Sequence, residues 1–394
     1  MTTIERGSTD KFFDEIRPIQ DYSFDSSPPI QADDDVATAW WQLARQHTES
    51  FVVRDGGQVA AVACNLPMTQ QVRGQIVPAW GVWGVATHPS ARRNGNARRA
   101  VLALLEAGYE AGMPISLLYP FRESFYERLG YVTFPQPRNL KFEVRNARPA
   151  LKLALDGQVE MVSFKEGFEQ WRAYSRQMQP EIHGFVVTDH GWPECFSAYK
   201  DRLWLAIARI DGEVVGMMPY RIHEENNIRD LHARRFHYTD VRGRYLLLQW
   251  IARHIDQVRD ARLQVPPCEQ PETWLSDLQV KYQDGWAPMA RILNVRRIGG
   301  AQVGVGAFTA RIHDEHCPWN AGVFRFEAVD GALAVTEAGK ADFNLDIRGL
   351  AALLYGTHDP VDFAIRAWGD PTPAQQTVLR TMFPPQIPYM HEAF

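Results

Sequence analysis

A group of arginines surrounds a glycine between an apolar stretch and a helical stretch. Arg92, Arg93 and Arg98 lie around Gly95 in the spacing R-x-x-G-x-A. The first turn of a helix offers unpaired backbone N–H groups and the positive end of the helix dipole. A glycine lets an anion approach that backbone closely, so the segment has the chemistry of a diphosphate site. A basic, solvated helix start that binds nothing is the alternative. The predicted anion-binding residues are Arg92, Arg93, Asn94, Gly95, Asn96, Ala97 and Arg98.

The flanking residues predict the elements that must hold this segment. Residues 76–87 are an apolar run that predicts a strand, and Pro89 fixes the turn after it. Val101, Leu102, Leu104 and Leu105 predict a helix over residues 95–112 that ends at Gly112. The arginines and the glycine therefore lie where a strand passes into a helix.

The strand, the turn, R-x-x-G-x-A and the helix together resemble the pyrophosphate-binding segment of the GCN5-related N-acetyltransferases. The resemblance implies that this segment holds coenzyme A. It also implies that the backbone of Val85, Ala86 and Thr87 pairs with the pantetheine arm, whereas the sequence alone shows only an apolar strand there. The implied co-substrate is acetyl-coenzyme A, and no metal ion is expected.

The stretch F-Y-E-R-L-G-Y at residues 125–131 is typical of the same family, in which a tyrosine of a short helix stands beside the thioester sulfur. A phenol with a pKa of about 10 is able to give a proton to a departing thiolate. We therefore predict Tyr126 as the general acid. A core tyrosine that closes the sheet is the alternative, and Tyr131 fits that role better.

Residues 1–148 predict a first domain that contains both motifs. The polar first ten residues predict a frayed terminus. Asp55-Gly56-Gly57 predicts a hairpin, and the order strand, hairpin, strand, helix, strand, helix, strand indicates an α+β fold with one central sheet. The predicted elements are helices over 36–44, 95–112 and 123–129, and strands over 51–53, 59–66, 76–87 and 115–119.

Residues 149–287 predict a second domain that repeats part of this plan, after a shift in composition at residues 146–152. Asp211-Gly212 predicts another hairpin. Residues 241–245 lack the full R-x-x-G-x-A, so we interpret this domain as a degenerate acetyltransferase fold that does not bind coenzyme A. An unrelated α/β domain is the alternative. The predicted elements are strands over 204–208, 214–218 and 229–240, and a helix over 245–258.

Residues 288–394 predict a third domain, after a break marked by Pro266, Pro267 and Pro271. The pattern I-x-D at residues 312–314, followed by W-N-x-G-x-F at residues 319–324, resembles sterol-carrier-protein-like domains, which implies an α/β fold. The predicted elements are strands over 303–312, 323–328, 332–336 and 341–345, and helices over 350–354 and 374–382.

Composition limits the classes of function. The 394 residues suit two or three domains, and 42 Lys and Arg against 47 Asp and Glu give a formal charge of −5. This balance argues against general nucleic-acid binding and weakly suits a cationic substrate. No signal-peptide-like run and no apolar stretch long enough to span a bilayer stand in the sequence, so we expect a cytoplasmic protein. Reduced, buried thiols are expected, because no C-x-x-C joins Cys64, Cys195, Cys268 or Cys317.

An acetyltransferase unit, a degenerate second copy and a sterol-carrier-like domain together resemble the Eis family of bacterial N-acetyltransferases, over essentially the whole chain. The resemblance implies a homohexamer that acetylates amines of polyamine-like or aminoglycoside substrates, with lysine side chains as a further possibility. The loop of residues 120–124 departs from the family pattern, because Phe121 and Arg122 are larger than the residues expected there. We place both residues beside the cofactor, and the departure leaves the range of acceptors open.

The acetyl acceptor arrives as an ammonium ion and must lose a proton before it attacks. In the Eis family the base is the carboxylate of the chain's own C terminus. Here the final residues are P-Y-M-H-E-A-F, and burial would raise the pKa of a terminal carboxyl above its usual value of about 3.3–3.7. The resemblance therefore implies that Phe394 supplies the base through its α-carboxylate. The sequence alone favours an ordinary packed terminus; the other candidate bases are Glu392, His391, His88 and Glu123.

Three hypotheses for function remain. The first is an amine acetyltransferase, which the intact R-x-x-G-x-A favours. The second is a lipid-binding or sterol-binding protein that uses residues 290–394, with the other domains as a scaffold that would not need that motif. The third is a regulator that binds coenzyme A without turnover, which consumption of acetyl-coenzyme A would exclude.

Overall fold

The computed structural model describes residues 2–26, 28, 41–42, 44–188, 203–233, 235–283 and 285–392. The chain forms two compact units, each built from segments that are distant in sequence. The three predicted consecutive domains divide the chain differently, because residues 288–394 share a compact unit with the first domain. Residues 136–148 fall in the other unit. Unit 1 comprises residues 1–135, 179–195 and 287–394, and unit 2 comprises residues 136–178 and 196–286.

The main sheet of unit 1 has eight strands among the described residues, in the order β1-β2-β3-β4-β5-β16-β6, with β9 paired to β3. Only β4 and β5 run parallel; the other pairs are antiparallel. Because β16 lies between β5 and β6, the sheet needs a strand from the third predicted domain. The strands are β1 (Thr2–Ser8), β2 (Glu49–Asp55), β3 (Gln58–Val72), β4 (Gln75–Thr87), β5 (Ile115–Leu118), β6 (Val132–Thr133), β9 (Val186–Val187) and β16 (Met289–Ile292).

Three helices accompany this sheet: α1 (Thr9–Phe24), α2 (Asn96–Glu110) and α3 (Glu123–Glu127). The buried residues of α2 include Val101, Leu104 and Leu105, which recur at helical spacing and so form one stripe. This stripe packs against apolar residues of β2 and β4, among them Phe51 and Trp80. The close packing fixes the start of α2 relative to the end of β4.

A smaller four-stranded sheet of unit 1 has the order β19-β18-β17-β20. Its interior is filled by phenyl rings: Phe308 stacks on Phe326 at 4.8 Å between centroids and lies 6.3 Å from Phe383. Two helices, α6 and α7, complete this part of the unit. The elements are β17 (Ala307–His313), β18 (Gly322–Val329), β19 (Ala332–Glu337), β20 (Phe343–Asp346), α6 (Ile347–Tyr355) and α7 (Pro373–Met382).

Unit 2 has its own sheet, in the order β15-β7-β14-β12-β11-β10-β8, with β13 paired to β11. The parallel strands β12 and β14 are joined through a helix, as β4 and β5 are in unit 1. Asp211 and Gly212 both have positive φ in the β10–β11 turn, which matches the predicted hairpin. The elements are β7 (Arg138–Glu143), β8 (Gln158–Ser163), α4 (Phe168–Met178), β10 (Trp204–Ile210), β11 (Glu213–Glu225), β12 (Ile228–Ala233), β13 (His237–Tyr238), α5 (Val241–Ala252), β14 (Asp260–Val265) and β15 (Lys281–Gln283).

The structure corrects several sequence-based boundaries. The frayed N terminus is wrong, because β1 pairs with β2 along its whole length. Helix α1 was not predicted, since its polar composition and internal Pro18 weaken the helical pattern. The strand predicted over 229–240 is two strands, β12 and β13. Helix α5 starts earlier than predicted because Asp240 caps it, and it ends at Ala252 rather than at Val258. The helix predicted over 36–44 lies almost entirely outside the described residues.

The described cysteines are all free thiols, but not all of them are buried. Cys64 and Cys317 are buried and free, whereas Cys268 is free but exposed, so burial holds for only two of these three. Cys195 lies outside the described residues. Within the described part of the chain, no helix is both long and apolar enough to cross a membrane.

Candidate active site

The predicted anion site is an open helix N terminus. Gly95 is the N-cap of α2, with φ of +77°, and no side chain caps the first turn. The first backbone N–H groups of α2 therefore lack an internal partner. A Cβ built at Gly95 would meet no atom within 4 Å, so there is free space above this backbone. An anionic group fits the space and the donors.

Side chains of α2 hold the loop in this shape. The Asn96 amide is buried and donates to the Ala91 carbonyl at 3.2 Å. Arg99 donates to the Asn94 carbonyl at 3.0 Å and to Asn96 Oδ1 at 2.7 Å. The sequence assigned Asn96 to the cofactor; its side chain instead holds the loop, which leaves only its backbone N–H for a ligand.

The remaining arginines of the motif are exposed. Arg92 lies with its guanidinium over the ring of Tyr22 at 5.6 Å and reaches the Thr87 carbonyl at 3.4 Å. Arg93 and Arg98 have no hydrogen-bond or ion-pair partner among the described residues. Two charged groups are thus free to meet a diphosphate, while Arg92 links the loop to the end of β4.

Strand β4 continues past the end of β5 with one edge open. The β4–β5 pairing runs from Ala79 to Val82 on β4, and no strand of the described residues pairs with residues 83–87 on that side. On the other side, the register with β3 shifts at Gly84 and Val85, which form a β-bulge. The predicted pantetheine-binding segment of Val85 to Thr87 therefore has an edge that no strand of the described residues covers, on which Arg92 Nε reaches the Thr87 carbonyl at 3.4 Å.

Tyr126 of α3 belongs to the hydrophobic cluster against which Val85, at this open edge, packs. Tyr126 is only 2% exposed. Burial, with a smaller effect of Tyr131, raises the pKa of the Tyr126 hydroxyl well above 10. Its hydroxyl has no hydrogen-bond partner within the described part of the chain. The group is therefore protonated at neutral pH and available as a donor, whereas the Tyr131 hydroxyl bonds Ser116 at 2.8 Å as a core tyrosine would.

The loop after β5 places Phe121 next to the acid helix. Its ring lies 5.6 Å from that of Tyr126 and 5.3 Å from that of Phe125, and it is 67% exposed. Arg122 is the exposed N-cap of α3. The assignment of both residues to the cofactor stays a prediction.

The end of the chain approaches the same region. Residues 388–392 are buried, although a terminus of this length is usually exposed. The Tyr119 hydroxyl, directly after β5, donates to the Met390 carbonyl at 2.8 Å. Phe185 stacks on His391 with centroids 3.7 Å apart, and Thr188 bonds Glu392 at 3.4 Å. Phe394, the predicted base, lies outside the described residues.

The other candidate bases occupy different settings. His88 lies in the exposed turn after β4, where its Nδ1 meets Ser90 Oγ at 2.7 Å. Glu123 is exposed and accepts from Thr133 Oγ1 at 3.2 Å. The imidazole of His391 and the carboxylate of Glu392 lie 3.8 Å apart in the buried tail. Only the tail candidates are sheltered from solvent.

Unit 2 has no open helix start at the corresponding place. The Asp240 carboxylate caps α5 by accepting from the Arg242 N–H at 2.7 Å. A Cβ at Gly243 would lie 2.2 Å from the Val215 carbonyl, so this glycine serves close packing of α5 on β11. A negative side chain stands where unit 1 has free donors, which supports the interpretation of a degenerate copy.

Sequence reasoning missed the residues that connect the distant segments of unit 1. Buried Arg73, at the β3–β4 turn, donates to the carbonyls of Leu354 at 2.7 Å and Pro384 at 3.0 Å. Tyr119 and Arg291 make similar long-range contacts. No local pattern marks such residues, because their partners are hundreds of positions away. Among the described residues, no group of His, Cys, Asp or Glu side chains is arranged to hold a metal ion.

Comparison with family models identifies the two parts of unit 1. Residues 5–134 match the acetyltransferase (GNAT) domain, and residues 289–391 match the sterol carrier protein domain. The chain therefore carries a GNAT domain and a sterol carrier protein domain, as the sequence predicts. The first match contains the anion site and Tyr126, which supports N-acetyltransferase activity. None of the curated proteins is significantly similar to this chain.

Solved structures share the fold over the whole length of the chain. A GCN5-related N-acetyltransferase from Anabaena variabilis ATCC 29413 has 20% sequence identity and a TM-score of 0.87, with 100% of each chain covered. A probable N-acyltransferase from Enterococcus faecalis V583 has 17% identity and a TM-score of 0.84, and Eis1 from Mycobacterium abscessus has 15% and 0.78, both with 100% of each chain covered. At these identities the likeness establishes the fold.

Proposed function

We propose that this protein is an acetyl-coenzyme A-dependent N-acetyltransferase that acts on primary amines of small polycationic molecules. The observation that carries the proposal is the open start of α2 beside the unpaired edge of β4. Together they offer donors for a diphosphate and backbone groups for the amides of a pantetheine arm. A scaffold without a ligand would need neither.

The acid in this proposal is Tyr126. Acyl transfer forms a bond from the amine nitrogen to the acetyl carbon and breaks the bond from that carbon to sulfur. The departing thiolate needs a proton, and the protonated, unpartnered hydroxyl of Tyr126 supplies it. Since burial keeps the phenol protonated, the proton is present at every physiological pH.

The base in this proposal is the α-carboxylate of Phe394. It takes the proton that the ammonium ion must lose before attack. Two residues of extended chain span about 7 Å, and the carbonyl of Met390 lies at Tyr119, close to the end of β5. The proposal therefore needs the last two residues to reach from Glu392 to the open edge of β4. Glu392 is the alternative base.

Thiol release in the presence of different amines tests the function. The protein is mixed with acetyl-coenzyme A and with spermine, an aminoglycoside or a lysine peptide, and free thiol is measured over time. Amine-dependent release of thiol, matched by a mass increase on the acceptor that corresponds to replacement of one hydrogen by one acetyl group, supports the proposal. Binding of acetyl-coenzyme A without release on any amine would instead favour the regulator.

Assembly and location follow from the family resemblance. We expect a cytoplasmic homohexamer, and light scattering at micromolar concentration measures the mass directly. A monomer would count against the resemblance. The lipid-binding alternative rests on the match to the sterol carrier protein domain. Against it, the phenyl ring of Phe308 packs against those of Phe326 and Phe383, so that these rings fill the place between them.

A further inference from the structure

A fully buried cation lies behind the helix that carries Tyr126. Arg291, the third residue of β16, has 0% exposed surface. Burial disfavours its charge, but Asp314, together with Cys317 and Tyr131, more than offsets this and raises the pKa of the guanidinium. The cation is therefore retained in the interior by a specific partner rather than by chance.

Asp314 anchors one end of the guanidinium. Its Oδ2 lies 2.5 Å from Arg291 Nη2 and accepts from Asn320 Nδ2 at 3.0 Å. Its Oδ1 accepts from the backbone N–H of Cys317 at 3.1 Å. Both oxygens are fully engaged, so the anchor has one orientation and fixes the plane of the Arg291 fork.

The other end of the guanidinium holds the turn after α3. Arg291 Nη1 donates to the carbonyl of Leu129. The N–H groups of Leu129 and Tyr131 in turn donate to the carbonyl of Tyr126, at 2.8 and 3.2 Å. Gly130 has φ of +88°, and a Cβ there would lie 3.1 Å from Arg291 Cζ. The turn closes directly over the guanidinium.

We propose that Arg291 is a positioning residue for the acid: its bond to Leu129 fixes the turn of residues 127–131 and thereby the direction of the Tyr126 hydroxyl. The inference rests on the proposed role of Tyr126. It gives the sterol carrier protein domain a part in acetyl transfer that needs no lipid. Arg291 touches no reacting group and acts only through Tyr126.

A double-mutant cycle tests this. Arg291→Lys keeps the charge next to Asp314 but loses the planar fork that reaches Leu129 at the same time. We expect kcat to fall by about 10- to 100-fold, because a misplacement of about 1 Å can cost about 100-fold in rate, while KM for acetyl-coenzyme A stays within about twofold. In a Tyr126→Phe background, Arg291→Lys should lower kcat by less than about twofold, because residues that act through one another are not additive.

A matched control separates positioning from stability. Ile292→Ala removes core packing from the same strand without touching Leu129, and should lower the melting temperature but leave kcat unchanged below it. If Arg291→Lys lowers kcat by the same factor in the wild-type and Tyr126→Phe backgrounds, or if the single variant has wild-type kcat, the inference is overturned. If Arg291→Lys does not fold, the same cycle with Asp314→Asn loosens the anchor, and additivity there overturns it equally. If Tyr126→Phe alone has full activity, the proposed acid has failed instead.

Discussion

The hydroxyl of Tyr119 donates to the carbonyl of Met390 across 271 residues of sequence, at 2.8 Å. The bond joins the residue that follows β5, in the GNAT domain, to the buried tail of the sterol carrier protein domain. It fixes the tail four residues before Phe394, at the edge where β4 and β5 separate.

Tyr119→Phe removes this hydrogen bond and should therefore hold the C-terminal tail, and with it the proposed base, less firmly in place. We expect kcat to fall about 3- to 10-fold, in line with the loss of one hydrogen bond of about 1 kcal/mol, with acetyl-coenzyme A affinity unchanged. Deletion of Phe394, or a short C-terminal tag, should remove most activity and leave the melting temperature and cofactor binding intact. Steady-state kinetics and calorimetry on the three proteins measure this. Full kcat after deletion would assign the base to another group.

Tyr126→Phe should lower kcat by about 100-fold, the usual scale of general acid catalysis, with little change in KM. Because burial raises the pKa of Tyr126, the hydroxyl stays protonated at high pH. No fall in kcat from its deprotonation is therefore expected up to about pH 10, where a free phenol would titrate. A basic limb in this range that disappears in Tyr126→Phe would contradict the burial of the acid.

Gly95→Asp should lower the affinity for acetyl-coenzyme A by about 100-fold or more. A carboxylate about 4 Å from the diphosphate costs several kcal/mol at an effective dielectric constant of about 20. The fold should be kept, because the space at Gly95 is open and aspartate tolerates positive φ. Gly95→Asn is the matched control, with the same shape and no charge. Equal affinities of the two variants by calorimetry would remove the diphosphate from this site.

Residues 1–148 expressed alone should not fold cooperatively. Strand β16 lies between β5 and β6, so its removal leaves the facing edges of both strands without partners. It also removes Arg291 from beneath the turn of residues 127–131. A thermal melt followed by circular dichroism checks this. A sharp transition at the temperature of the full chain would show that the first predicted domain is self-sufficient.

The buried imidazole of His183 predicts a loss of stability in acid. Burial, together with the Arg73 charge, lowers its pKa from 6.5 to about 4. Its Nδ1 accepts from the Arg73 N–H and its Nε2 bonds the Tyr355 carbonyl, so the neutral Nε2–H form is present. Between pH 6.5 and 4 the unfolded chain binds a proton that the folded chain does not. The free energy of unfolding therefore decreases as the pH is lowered through that range.

The expected loss from this one group is about 2 kcal/mol between pH 7.5 and 5, and nothing between pH 9 and 7.5. Over the same interval, the free energy of unfolding of His183→Gln should decrease by about 2 kcal/mol less than that of the wild type. Denaturant unfolding at each pH measures both proteins. The comparison with the variant is needed because buried His237, whose pKa is also lowered, acts in the same direction. Identical pH profiles for both proteins would contradict the linkage.

The sequence predicts the local parts of this molecule well. Hairpins such as Asp211-Gly212 and the passage from β4 to α2 depend on neighbouring residues, whose turn and periodicity signals are strong. The assembly of unit 1 depends on pairs such as Arg73 with Leu354 and Arg291 with Leu129, and no short pattern indicates them. The first strand was missed for the same reason, because the polar β1 pairs with residues 49–55, more than 40 positions further along the chain.

The interleaving of unit 1 also affects how the protein is made. The guanidinium of Arg73 cannot form its hydrogen bond until the carbonyl of Leu354, 281 residues further along the chain, has been synthesised. While the ribosome adds those residues, the N-terminal strands are exposed as a nascent chain with open edges and uncovered apolar surface. High contact order slows folding, and such intermediates aggregate. On the proposed function, acetyl transfer would therefore need the whole sterol carrier protein domain, including the proposed base at Phe394, so that a nascent chain would carry no premature activity.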